Sequence, residues 1–197
     1  MKKRTLGCIG LLLACLVLTF FSIAIYGRQK TRAQPVDMYD LMVDVSTFPQ
    51  GWYIESGPSH PPQGKYLRGE TESLFLQFIG LEGGATHVVC RYNNDLQATV
   101  SFYVDNEFLK REAVVTPWSI PHGWSYESQV ADRFKFACAE LVILSRFRNC
   151  TAVAQYDEYV SVFSTRMSPE YMTLEDLESI LDAIDERMAL YLAEDGE

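Results

Sequence analysis

The chain has 197 residues, 17 of them basic and 26 acidic, for a formal charge of −9. That length supports one domain with its own core. The charge argues against nucleic acid or anionic lipid headgroups as partners, since both want clustered Lys and Arg.

Leu6 to Tyr26 is an uncharged run of about 20 apolar residues, long enough to cross the roughly 30 Å hydrocarbon core of a bilayer as a helix. It exceeds the roughly 7 to 15 apolar residues of an ordinary cleavable signal. The expected organisation is a cytoplasmic N-terminus over 1–5, a single-pass transmembrane signal anchor over 6–26, a stalk over 27–36 and an extracytoplasmic domain over 37–197. Two alternatives stand beside it: a signal peptide cleaved near Ser22-Ile23-Ala24, and a lipoprotein whose Leu12-Leu13-Ala14-Cys15 resembles a lipobox. Lys2, Lys3 and Arg4 are nearly balanced by Arg28, Lys30 and Arg32, but the tighter N-terminal cluster favours an N-inside orientation. The expected location is therefore the cell membrane, with the C-terminal domain outside the cytoplasm. Three of the 17 basic residues precede the apolar run and all 26 acidic ones follow it, which leaves the exported part at −12. Such a surface serves solubility more simply than it serves a cationic ligand.

Beyond the stalk, Phe48-Pro49-Gln50-Gly51-Trp52-Tyr53-Ile54-Glu55-Ser56 is echoed 72 residues later by Ile120-Pro121-His122-Gly123-Trp124-Ser125-Tyr126-Glu127-Ser128. After the first copy, Leu74, Leu76 and Phe78 alternate, and Thr86 to Tyr92 follows as a second strand. Gly80 to Gly84 reads as a hairpin turn, with Gly83-Gly84 supplying positive φ. Asn93-Asn94-Asp95 caps a helix whose Leu96, Val100, Tyr103 and Leu109 share a face. After the second copy come Phe134, Phe136 and Cys138, then Thr151 to Tyr156 and Tyr159 to Met167, joined by a turn over 156–159. Thr173 caps a last helix carrying Leu174, Leu177, Ile180, Leu181, Ile184, Met188 and Tyr191 as one stripe, with Glu175 and Asp176 in its first turn. The reading is an α+β fold: an internal β-β-β-α duplication forming a two-layer sandwich, an antiparallel sheet with helices on one face.

Cys8 and Cys15 lie in the apolar run. Of Cys90, Cys138 and Cys150, an oxidising compartment would pair two, and Cys138 with Cys150 is the expected disulfide across a strand reversal. The alternative leaves all three reduced in the core. Catalytic and cofactor motifs are absent from the sequence: there is no Gly-x-Ser-x-Gly, no Gly-rich phosphate loop and no His-Glu-x-x-His. His87 and Cys90 resemble half a zinc site, but strand alternation places them on opposite faces, which suggests a surface histidine and a core thiol. No metal, cofactor or catalytic residue is expected. The Gly57 to Gly64 stretch, with His60-Pro61-Pro62, reads as an exposed mobile loop. Glu55 and Glu127, at equivalent places, suggest a structural job such as meeting backbone donors.

The remaining candidates are aromatic. Trp118, His122, Trp124 and Tyr126 crowd one loop, while Trp52 and Tyr53 crowd its partner, and such residues favour ligand or partner contacts. The competing reading makes each Trp a plug for its end of the sheet.

Pro49-Gln50-Gly51-Trp52 together with the acidic Leu174 to Met188 helix resembles bacterial exported domains, among them anchored lipoproteins and the extracytoplasmic sensor domains of membrane kinases. These often have folds like the photosystem accessory protein PsbP. The resemblance implies an extracytoplasmic module, although the sequence carries no kinase or signalling segment, so a partner would have to carry any signal inward. The expected function is a non-enzymatic membrane-anchored module binding a small ligand or a protein partner. The alternatives are a structural or accessory envelope protein and an unrecognised hydrolase.

Overall fold

A computed structural model describes residues 36–60, 69–104, 117–140 and 147–193. The expected membrane segment over 6–26 lies outside them. Among the described residues, no helix is long and apolar enough to cross a membrane.

Among the described residues, six strands form one antiparallel sheet, β1 (Tyr53–Ser59), β2 (Glu72–Gly80), β3 (Gly83–Arg91), β4 (Arg133–Glu140), β5 (Arg148–Tyr156) and β6 (Tyr159–Met167), and two α-helices accompany it, α1 (Asp95–Val104) after β3 and α2 (Leu174–Ala193) after β6. The spatial order is β1-β2-β3-β6-β5-β4, so two three-strand meanders meet along β3 and β6. Adding 76 to residue numbers carries β2 onto β5 and β3 onto β6 and turns each β2–β3 pair into a β5–β6 pair. The meanders then meet about the pair His87–Phe163, each the counterpart of the other. The order of elements repeats as expected, β-β-β-α twice.

The helices do not obey the same symmetry, and here the two-layer expectation fails. Strand side chains alternate between faces, which sorts the core into two parts. One face carries Leu74, Leu76, Phe78, Ala85, Val89 and Phe163 beneath α2 and the segment 36–52. The other carries Val88, Cys90, Val153, Val160 and Val162 beneath α1. The helices therefore lie on opposite faces of the sheet rather than on one, and the arrangement is helix, sheet, helix.

α2 is seated as its stripe predicts, with Leu177, Ile180, Leu181, Ile184 and Met188 buried. A capping box starts it: Thr173 Oγ1 accepts from Asp176 N–H at 3.1 Å while Asp176 Oδ2 accepts from Thr173 N–H at 2.7 Å. α1 opens as expected on Asn94, whose Oδ1 accepts from Gln97 N–H at 2.9 Å. Its apolar stripe, however, is turned outward. Leu96, Val100 and Tyr103 are exposed, and Ala98 and Phe102 seat the helix instead. Leu109 lies outside the described residues.

The β2–β3 turn also differs from its expected form. Positive φ falls on Glu82 (52°), not on Gly83 or Gly84. Gly80 and Gly83 serve a different purpose: a Cβ on Gly80 would stand 2.4 Å from the Trp52 ring, and one on Gly83 would stand 3.1 Å from it. The indole of Trp52 lies on these glycines, with the Phe48 ring 5.2 Å away and Phe48 stacked in turn on Phe78 at 4.4 Å. Trp52 is thus a plug. Gly57 to Ser59, expected in a mobile loop, belong to the exposed edge strand β1, and residues 61–68 lie outside the described residues.

Trp124 is not an equivalent plug. The Pro-x-Gly-Trp copies repeat at 72 rather than 76, so more chain separates Trp124 from its meander. Its ring is half-buried on Phe136 at 4.1 Å and neighbours Tyr126, which meets Phe134 at 5.2 Å. Tyr126 and Tyr156 both donate to Asp185, at 3.0 and 2.6 Å, and Asp185 is a buried carboxylate inside the apolar stripe of α2. Burial first, and the Asp185 charge second, raise both phenol pKa values, so both remain donors. Tyr156→Phe is expected to cost about 1–3 kcal/mol, because it strips a partner from a buried carboxylate. Urea unfolding of the variant checks this, and an unchanged midpoint would show that the pair contributes nothing.

Candidate functional site

Among the described residues, α1 covers only part of the sheet face that bears it. Cross-strand register arranges its side chains in rows perpendicular to the strands. Under α1 lies an apolar row: Phe75, Val88, Val162 and Val153, ending at Lys135 on β4. The next row changes character, with Gln77, Thr86, Ser164 and Thr151 directly opposite one another, ending at Ala137. One row further on are Ile79, Gly84, Arg166, Asn149 and Ala139. Apart from the two alanines at their β4 ends, these two rows line a cleft of about 520 Å³.

The segment before β4 supplies one wall. Ser119 and Cys138 exchange backbone hydrogen bonds, each amide donating to the other's carbonyl at 2.9 Å. By the same antiparallel register Trp118 stands beside Ala139 at the end of the second row, and it lines the cleft. The bridge uses both backbone groups of Cys138, so Cys138 and Cys150 face each other as a non-hydrogen-bonded pair, the closer of the two antiparallel spacings. Their Cα atoms are 4.0 Å apart and their sulfurs are bonded, as expected from the sequence. Cys90 is buried on the α1 face, outside that bond.

The cleft is mostly apolar by area, and its polar groups are hydroxyls, amides and the Arg166 guanidinium. Ser164 and Thr151 hydroxyls bond each other at 3.0 Å, so one of the two keeps a proton to donate elsewhere. Arg166 is exposed and lies over the Phe147 ring at 5.6 Å, and among the described residues no carboxylate pairs with it. The indole Nε1 of Trp118 is shielded from water with no acceptor among the described residues. At the rim the Gln77 amide donates to Glu55, so Glu55 serves a side chain and not the backbone donors expected of it; Glu127 has no equivalent contact. Among the described residues, no Asp, Glu or His lines the cleft. A hydroxyl there has no neighbouring base to activate it, which suits binding better than nucleophilic chemistry.

The fold disperses the aromatic candidates. Trp118 is in this cleft. Trp124 and Tyr126 line a separate hollow of about 410 Å³ along β4, together with Phe134 and Phe136. Trp52 is in the core, Tyr53 is exposed on β1, and His122 is exposed in the turn before Gly123, whose φ is 77°.

No established protein family matches the chain, and no curated protein matches it either. Among solved structures, the extracellular domain of PknH from Mycobacterium tuberculosis is similar over 78% of this chain and 98% of its own, at 10% identity and a TM-score of 0.51. This chain shares that fold. An uncharacterized protein of Mycobacterium smegmatis, the Rv0999 ortholog, aligns with 71% of this chain and 92% of its own at 11% identity, with a TM-score of only 0.28. Neither is described as PsbP-like, so that part of the expected resemblance is not supported.

Sequence reasoning missed several buried polar residues, His87, Glu158 and Asp185 among them. His87, expected at the surface, is fully buried on the α2 face: Nδ1 accepts from Val43 N–H at 3.1 Å and Nε2 faces Ser161 Oγ at 3.0 Å. It does lie on the face opposite Cys90, as alternation requires. Among the described residues no three His, Cys, Asp or Glu side chains cluster as metal ligands. Asp185 was hidden by its position within an apolar stripe.

Proposed function

We propose that this is a non-catalytic extracytoplasmic module, tethered by residues 6–26, that binds a small polar molecule in the cleft between Trp118 and the β3–β6 seam. The observation that carries the reading is the abrupt change from an apolar row under α1 to the row Gln77, Thr86, Ser164 and Thr151, with Gly84, Arg166 and Asn149 beyond it. A sheet face that needed only burial would continue the apolar row. The Cys138–Cys150 disulfide supports an oxidising compartment, and the fold shared with the PknH extracellular domain agrees with it.

The test uses the full chain, made in a bacterial host with an intact envelope. External protease should reach the domain in spheroplasts, and native mass spectrometry of the detergent-extracted chain should retain a small-molecule adduct. Gly84→Val should abolish the adduct while leaving the melting curve nearly unchanged. A Cβ at Gly84 meets only the Phe78 carbonyl oxygen, at 3.7 Å, an ordinary contact, so a side chain there starts into the cleft. A domain protected in spheroplasts would overturn the compartment, and an adduct indifferent to Gly84→Val would overturn the cleft as its seat.

A further inference from the structure

Resting on the reading of the cleft as a binding site, we infer that its ligand is a small polyhydroxylated anion, a sugar-like compound bearing one carboxylate or phosphate. Charge gives the first ground. The chain carries 26 acidic residues, yet among the described residues none lines this cleft, and the one charged side chain lining it is Arg166. A site for a cation would be expected to use the carboxylates that are so abundant elsewhere. A planar guanidinium held against Phe147, without an ion-pair partner among the described residues, is set to receive two oxygens of one anionic group.

The second ground is the row Thr86, Ser164, Thr151, with Asn149 beside it on the next row. Adjacent strands stand about 4.8 Å apart, so hydroxyl and amide groups recur across the floor at intervals comparable with the width of a hexose ring. Each can donate or accept, as vicinal hydroxyls require. The third ground is Trp118, which offers an apolar ring face and an Nε1–H with no acceptor among the described residues. A ligand oxygen would satisfy that donor, which otherwise carries the cost of an unmade hydrogen bond. Gly84, which has no side chain, leaves depth in the floor for a ring.

The test is calorimetric titration of the full chain in detergent with four probes: glucuronate, glucose 6-phosphate, glucose and glucosamine. One or both anionic sugars should bind, at least about tenfold tighter than glucose, the usual contribution of a charge-assisted contact. Which one binds identifies the anionic group. Arg166→Gln should remove that preference, and because Arg166 is exposed its melting curve should match the parent. Trp118→Phe should weaken whichever anionic sugar binds by about fivefold. Glucose binding as tightly as the anions, a preference for glucosamine, or no binding by any probe would each overturn the ligand class. In those cases an adduct that Gly84→Val still displaces leaves the cleft itself standing, so the two failures are separable.

Discussion

Trp52→Ala is expected to destabilise the domain by about 3–5 kcal/mol, the range for deleting a large buried aromatic side chain, whereas Trp124→Ala should cost about 1–3 kcal/mol. The two tryptophans occupy the same place in matching sequence motifs, so the difference comes from their surroundings. Trp52 is 9% exposed and sits against glycines whose missing side chains make its space. Removing the ring leaves a void walled on one side by the Gly80 and Gly83 backbone, which cannot collapse to fill it. Trp124 is half-buried at a sheet edge, where neighbouring rings can close up. Gly80→Ala supplies the reciprocal check, because its Cβ would enter the indole ring and should cost a comparable amount. Denaturant melts of the three variants give the order directly. Equal losses for the two tryptophans would mean that the motif, not its packing, sets the energy.

Much of the strand content was legible because alternation is a local signal. Leu74, Leu76 and Phe78, or Thr151 to Tyr156, announce a strand without knowledge of its neighbours. The repeated meander was legible too, through the doubled Pro-x-Gly-Trp. What alternation cannot say is which face a helix covers. The meanders share a twofold relation that would place both helices on one side, and the packing of Ala98 and Phe102 against Val88 and Val162 decides otherwise. The stripe of Leu96, Val100 and Tyr103 misled for a related reason: a ten-residue helix can seat itself on two side chains. The cleft was invisible in the sequence because it exists only in register. Thr86, Thr151 and Ser164 lie in three separate strands, and each alone is an unremarkable polar position. Only Trp118 was singled out, and it was grouped with Trp124 although the fold sends the two to different hollows. The disulfide was predictable from sequence separation and compartment: Cys138 closes one strand candidate and Cys150 directly precedes the next.

His87 should make the domain acid-sensitive over a defined window. Val43 N–H donates to Nδ1, so the ring proton is on Nε2 and donates to Ser161 Oγ. A second ring proton would turn the Val43 contact into two opposed donors. Burial, with a smaller contribution from the Arg187 guanidinium, accordingly pushes the imidazole down to about 3. An unfolded histidine titrates near 6.5, so below that value the unfolded chain binds a proton that the native one refuses. The stabilisation is complete above about pH 6.5 and is lost as pH falls toward 3, at about 1.4 kcal/mol per pH unit. From pH 7 to pH 4 this one residue should remove about 3 kcal/mol. Carboxylates also titrate there, so the measurement is a difference: urea unfolding of the parent and of His87→Gln, across pH 4 to 7. The Gln amide can accept from Val43 and donate to Ser161 without titrating. Its stability should therefore fall less steeply, by the equivalent of one proton between pH 6 and pH 4. Parallel slopes would show that the ring is protonated in the folded state, and the Val43 contact would then have to be abandoned.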